Sequence, residues 1–178
     1  CFPYGPVPIH FCQDHSVLGC DFYLMTYIEG LIIRRQYPEN LNLSPEQINR
    51  QLNNFFDVLS DLHAVDLDQA GLRDFGKPAG YVKRQVDGWC RRWADAATPD
   101  TVNCDNTIQW LVDHMPPESG KSSVIHNDYK MDNVIFSAED PLQVIGVLDW
   151  ELSTVGDPLM DLGCTLGYWV ETGDPDFF

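Results

Sequence analysis

The chain has 178 residues, 44% of them hydrophobic and 12% aromatic, a composition that suits one domain with a real core and excludes a disordered protein. With 27 acidic against 11 basic residues its formal charge is −16, which argues against DNA, RNA or an anionic membrane surface as a partner. Cysteines stand at 1, 12, 20, 90, 104 and 164 with no CxxC pair, and no apolar run reaches membrane-spanning length, so the chain is expected to be a cytoplasmic protein with reduced thiols.

In chain order, Asp21-Phe22-Tyr23-Leu24-Met25-Thr26-Tyr27-Ile28 is rich in aromatic and branched residues and stops at Glu29-Gly30, as a strand does before a turn. Ser44-Pro45-Glu46-Gln47 reads as a capping box with proline at the first helical position. Behind it Ile48, Leu52, Phe55, Phe56, Leu59 and Leu62 fall on one helical face. Gly71-Leu72-Arg73-Asp74-Phe75-Gly76-Lys77 fits most of a phosphate-binding loop, but Pro78 supplies neither the hydroxyl nor the N–H that the next position needs. This segment is expected to be a surface turn.

A second helix is predicted from Tyr81, Val82, Val86, Trp89, Cys90 and Trp93, and a third from Ile108, Leu111, Val112 and Met115, stopped by Pro116-Pro117. After Gly120 the pattern changes to three short apolar runs, Val124-Ile125, Val134-Ile135-Phe136 and Val144-Ile145-Gly146-Val147-Leu148, read as small strands. Asp157-Pro158 then caps a helix holding Leu159, Met160, Leu162 and Leu166, and Thr172 to Phe178 reads as a turn-like end.

The chemistry concentrates in His126-Asn127-Asp128-Tyr129-Lys130-Met131-Asp132-Asn133, set between two of those strands. The Asp128 carboxylate can orient a substrate hydroxyl or accept its proton, and the Asn133 amide oxygen can coordinate a hard cation. A hairpin through Glu139-Asp140-Pro141 would bring Asp149 beside Asn133, an oxygen-rich pair that suits magnesium. Each residue alone has a plainer reading: His126 as a brace for the loop, Asp128 or Asn133 as turn residues, Asp149 as a strand cap. The ordered conjunction of all four favours a site. A metal-dependent hydrolase with His126, Asp128 and Asp149 as ligands is the weaker alternative, because the other histidines show no ligand spacing.

HNDYKMDN, followed by VLDWE and GDPLMDLG, resembles the aminoglycoside phosphotransferase and choline kinase superfamily; GKPAGYVKRQVDGWCRRW adds a likeness to the branch found fused to acyl-CoA dehydrogenases. The resemblance implies an α+β, protein-kinase-like fold, with residues 1–30 as the end of an N-lobe and hinge and 31–178 as a partial, mainly helical C-lobe with small β-hairpins around the catalytic loop. It implies ATP and Mg2+ as cofactors and a small-molecule hydroxyl as acceptor. Asp128 matches the catalytic aspartate, His126 the histidine that supports its loop, Asn133 and Asp149 the magnesium ligands, and Asp161 an aspartate that hydrogen-bonds back to the loop. Met25, Thr26 and Tyr27 match the hinge that meets the adenine. Asn127 stands where many members of the family have glycine. Most of the N-lobe and the later acceptor helices are missing from this pattern, so the chain is expected to be a piece of a longer enzyme and inactive in isolation; a nucleotide-binding pseudokinase or scaffold is the alternative function.

Overall fold

The computed structural model describes residues 2–34, 36–38, 41–170 and 173–174. The elements run β1 (Pro8–Cys12), α1 (His15–Leu18), β2 (Phe22–Met25), α2 (Pro45–His63), α3 (Tyr81–Ala96), α4 (Asp105–Asp113), β3 (Ser123–Ile125), β4 (Val134–Phe136), β5 (Val144–Val147), β6 (Thr154–Gly156) and α5 (Pro158–Leu166). Single 3-10 turns at Met131–Asn133 and Trp150–Leu152 precede β4 and β6. The strands form three antiparallel pairs, β1 with β2, β3 with β6 and β4 with β5.

The capping box forms as the residues at its start dictate. The Ser44 hydroxyl accepts the Gln47 N–H at 3.3 Å, and the Gln47 side-chain oxygen accepts the Ser44 N–H at 2.8 Å. The core face of α2 is rotated slightly from the expected stripe: Gln51, Phe55, Val58, Leu59 and Leu62 are buried, while Ile48, Leu52 and Phe56 are only partly so. Gln51 is admitted to that face because Tyr37 donates to its side-chain oxygen at 2.8 Å and its amide reaches the Pro141 carbonyl.

α2 covers β3 and β5, and its face joins Val124, Tyr129, Val134, Phe136, Val144 and Val147 in one core. Full burial of each such side chain contributes about 1.5–3 kcal/mol. Tyr129 is completely buried, and its hydroxyl is satisfied by the Phe55 carbonyl at 2.7 Å. The residue after Asp128 is thereby anchored to the helix beneath it.

Three expectations need correction. The first strand ends at Met25 rather than Ile28, because Thr26 closes the ladder: its N–H donates to the Val7 carbonyl and its hydroxyl accepts the Val7 N–H, both at 2.9 Å. The chain then crosses to β4, where Leu31 and Phe136 exchange backbone hydrogen bonds at 2.8 Å. The third helix stops at Asp113, leaving Met115 outside it. β1 and β6 were not anticipated, since one lies in a proline-rich stretch and the other has only three residues, too few to show alternation. The turn-like end falls, apart from Gly173 and Asp174, outside the described residues.

The phosphate-loop mimic is structural. A Cβ on Gly76 would lie 2.4 Å from Thr154 Oγ1 and 2.6 Å from the Val155 nitrogen, so the glycine is there to let this segment run against β6. Among the described residues Cys12, Cys20, Cys90, Cys104 and Cys164 are free thiols, and no helix is long and apolar enough to cross a membrane.

Candidate active site

The loop between β3 and β4 is held from below by one carboxylate. Asp157 caps α5 by accepting the Leu159 N–H at 2.9 Å, and this directs the first turn of the helix at the loop. Asp161, fully buried on that turn, accepts the backbone N–H of His126 at 2.8 Å and of Asn127 at 2.7 Å, and lies 2.9 Å from His63 Nε2 at the end of α2. The expected contact from α5 is therefore present. His63, set aside in the sequence for want of ligand spacing, is its third partner.

Asn127 has φ +64°, a left-handed conformation in which glycine is unstrained and asparagine the best-tolerated alternative. Its side chain makes use of the position. Oδ1 accepts the Tyr81 hydroxyl at 2.9 Å, and Nδ2 donates to the Leu152 carbonyl at 2.8 Å, tying the loop to α3 and to the 3-10 turn after Asp149.

His126 is fully buried and both ring nitrogens are engaged: Nε2 meets the Leu148 carbonyl at 2.8 Å, and Nδ1 accepts the Asp128 N–H at 3.3 Å. A carbonyl partner requires the proton on Nε2, so the ring is the neutral Nε2–H tautomer. Burial pushes its pKa down despite the Leu148 carbonyl and the nearby carboxylates. The imidazole spans from Asp128 to the residue before Asp149. It braces the site and has no lone pair left for a metal, which removes the geometry that the hydrolase reading needs.

Asp128 sits at the mouth of the loop. Asn133 Nδ2 donates to its Oδ2 and to its carbonyl, each at 2.9 Å, the Tyr168 hydroxyl donates to Oδ1 at 2.7 Å, and Lys130 Nζ lies 3.0 Å from Oδ1 and 2.8 Å from Oδ2. Burial works against ionisation here, but the donors Lys130, Tyr168 and Asn133 outweigh it and hold the carboxyl below its ordinary value. The hydrogen bond to Asp128 in turn raises the Lys130 pKa. Asp128 is thus a carboxylate at neutral pH, able to orient a hydroxyl and receive its proton late in a reaction.

The β4–β5 hairpin forms with Val134 opposite Val147, and the Leu148 N–H donates to the Asn133 carbonyl at 2.8 Å just beyond the ladder. Asp149 follows at once, with φ +67° and ψ +58°, a strained conformation that turns the chain out of the strand. Its carboxylate is exposed and makes no hydrogen bond or ion pair to another described residue, and Asn133 Oδ1 accepts none. These two oxygen ligands, on residues at the same end of the hairpin and unspent on protein hydrogen bonds, are of the kind magnesium takes, since it uses few protein ligands and fills its remaining positions with water and phosphate oxygen.

Lys130 and Tyr168 were missed by sequence reasoning. The lysine carried a visible signal, lying inside the motif two places from Asp128; the tyrosine, 40 residues from it, carried none. Met25, Thr26 and Tyr27 lie apart from the loop, in and just after the β1–β2 hairpin. The Thr26 N–H is already used by Val7, whereas Tyr27 is 89% exposed and makes no hydrogen bond to another described residue.

The sequence profile of the phosphotransferase enzyme family matches residues 2–178. Acyl-CoA dehydrogenase family member 11 of Gallus gallus is 38% identical over 158 residues, 88% of this chain and 20% of that protein; family member 10 of Mus musculus is 36% identical over 173 residues, 96% of this chain and 16% of that protein. The chain thus spans a fifth or less of the length of these curated relatives. An aminoglycoside phosphotransferase-like protein of Ralstonia eutropha JMP134 superposes with a TM-score of 0.82 at 32% identity, covering 96% of this chain and 52% of that one. The streptomycin-ATP-APH(2″)-IIa ternary complex gives a TM-score of 0.56 at 19% identity over 89% of this chain and 52% of that one, a likeness of fold.

Proposed function

The chain belongs to the phosphotransferase enzyme family, and on that premise we propose that it transfers the γ-phosphoryl group of ATP to a hydroxyl of a small molecule, with magnesium as the metal. The observation that carries this reading is a buried, ionised Asp128 hydrogen-bonded to Asn133, with Asn133 Oδ1 and, at the same end of the hairpin, the Asp149 carboxylate left without hydrogen bonds. ATP is also the nucleotide bound in one of the relatives of like fold. A pseudokinase or scaffold would have no use for a strained Asp149 that leaves its carboxylate exposed.

In this reading Asn133 and Asp149 hold the metal, which would neutralise the phosphate charge that grows during transfer. Asp128 orients the acceptor hydroxyl in line and takes its proton, a contribution of roughly 10²–10⁴-fold. Lys130 stands close enough to share the negative charge. His126 and Asp161 fix the loop, and positioning of this kind supplies most of the acceleration in phosphoryl transfer. Tyr27 and its neighbours form the hinge against which the adenine rests, with residues 1–30 as the end of an N-lobe and hinge and 31–178 as a partial C-lobe. The free thiols suit the cytoplasmic location we assign.

Calorimetric titration of ATP with and without magnesium, on the parent protein and on Asp149→Ala, tests the reading. Magnesium-dependent binding lost in the variant, followed by ADP and a phosphorylated product in a screen of hydroxyl acceptors, is expected. Binding indifferent to metal and to Asp149, or release of free phosphate in place of a phosphorylated product, would sink it.

A further inference from the structure

Tyr168 has no part in the reaction just described, yet its hydroxyl occupies the group on which that reaction depends. The phenolic oxygen donates to Asp128 Oδ1 at 2.7 Å. A hydroxyl awaiting transfer must make this contact, heavy atom to heavy atom within about 2.6–3.2 Å of the base. The ring is held as well as the hydroxyl: Lys130 Nζ lies 4.8 Å from its centroid, and Lys130 also contacts both Asp128 oxygens. Tyr168 lies just past α5, in a turn closed by hydrogen bonds from the Tyr168 N–H to the Thr165 carbonyl and from the Trp169 N–H to the Leu166 carbonyl. The Trp169 ring then packs on Phe56 of α2 at 5.5 Å. The turn is thereby tied to α2 through Trp169, while Tyr168 itself stays 54% exposed.

Resting on the phosphotransferase reading, we propose that Tyr168 is an internal acceptor, phosphorylated on its phenolic oxygen by the same chain. The Tyr168 oxygen attacks the γ-phosphorus of ATP, forming the new P–O bond. The bond from that phosphorus to the β–γ bridging oxygen breaks, and ADP departs with the electron pair while the phenolic proton passes to Asp128. No co-reactant beyond magnesium and ATP is required. Once Asp128 releases that proton to solvent, the product is an aryl phosphate of charge about −1.5 to −2 beside an ionised carboxylate, an arrangement that like-charge repulsion opens. Modification therefore vacates Asp128 Oδ1 for a small-molecule hydroxyl, which the unmodified tyrosine excludes.

The test is incubation of the gene's full-length product with ATP and magnesium in the absence of any small acceptor, followed by intact-mass measurement and peptide mapping, with parallel samples of Tyr168→Phe and Asp128→Asn. A thermal melt confirms that both variants fold. One phosphoryl group on Tyr168 is expected, absent from both variants and acquired with a rate constant independent of protein concentration. Phosphate on another residue, or a rate that rises with protein concentration, overturns the proposal. A protein that binds ATP with magnesium and phosphorylates a small acceptor while Tyr168 stays unmodified overturns this proposal alone; a protein that does not bind ATP with magnesium overturns it together with the reading it rests on.

Discussion

The Asp161 carboxylate accepts the His126 backbone N–H at 2.8 Å across 35 residues of sequence, and its other oxygen takes the Asn127 N–H. Removing it strands two backbone donors and His63 in a buried place. Asp161→Ala is expected to cost about 3–5 kcal/mol, read as a lowered urea midpoint with an unchanged m-value. An exposed helix-dipole acid would have cost under about 1 kcal/mol.

Asn127 supplies the next test, because its backbone and side chain pull in opposite directions. Asn127→Gly relieves the left-handed strain but loses the bonds to Tyr81 and Leu152; Asn127→Ala loses the same bonds and keeps the strain. Both variants should be less stable than the parent, the alanine by about a further 1 kcal/mol. Equal stabilities would mean that the loop relaxes out of its positive φ.

Asp149 is expected to trade stability for function. Its φ of +67° costs an aspartate about 1–2 kcal/mol, of which glycine returns part to the unfolded chain as added entropy. Asp149→Gly should therefore raise stability by about 0.5–1 kcal/mol while abolishing magnesium-dependent ATP binding. Thermal unfolding and calorimetry on one sample read both effects.

Gly76→Ala separates the phosphate-loop mimic from the working site. The new methyl would overlap Thr154 Oγ1 and the Val155 backbone, so a loss of about 1–3 kcal/mol is expected with ATP affinity unchanged once the protein is folded. A selective loss of nucleotide affinity at unchanged stability would reinstate the mimic as a phosphate loop.

Acidification should act in two stages. Burial keeps the folded His126 pKa below the ordinary 6.5, so between 6.5 and that lower value the unfolded chain binds a proton the native protein refuses, and stability falls as the pH drops through this window. The folded Asp128 pKa is depressed below the ordinary 3.8, so its contribution is intact above 3.8 and is lost as the pH falls towards the folded value. Urea midpoints across the acid range should show both slopes, with the first absent from His126→Asn.

Much of this was legible in the sequence because it was written locally. The capping box at Ser44 to Gln47 and the hairpin that sets Asn133 next to Asp149 each depend on neighbours in the chain. Asp128 and His126 were singled out by the spacing of a resembled motif. What was not legible depends on distant packing: His63 meets Asp161 over 98 residues, and Tyr168 reaches Asp128 from beyond the end of a helix. Strand ends were misread for a similar reason, since the Thr26 clamp on Val7 is a tertiary fact with no periodic signature. The proton economy of His126 followed only from seeing both ring nitrogens occupied.

The His63–Asp161–His126 junction also dictates a sequence of events during synthesis. The two backbone amides of the loop have no partner until α5 has left the ribosome, long after α2 and the loop itself are free to collapse. A nascent chain halted before Asp161 can bury Phe55 against Tyr129, but the carboxylate that locks the peptide units before Asp128 has yet to be made. A ribosome stalled ahead of that codon would therefore display a collapsed domain whose His126 and Asn127 amides still lack their carboxylate.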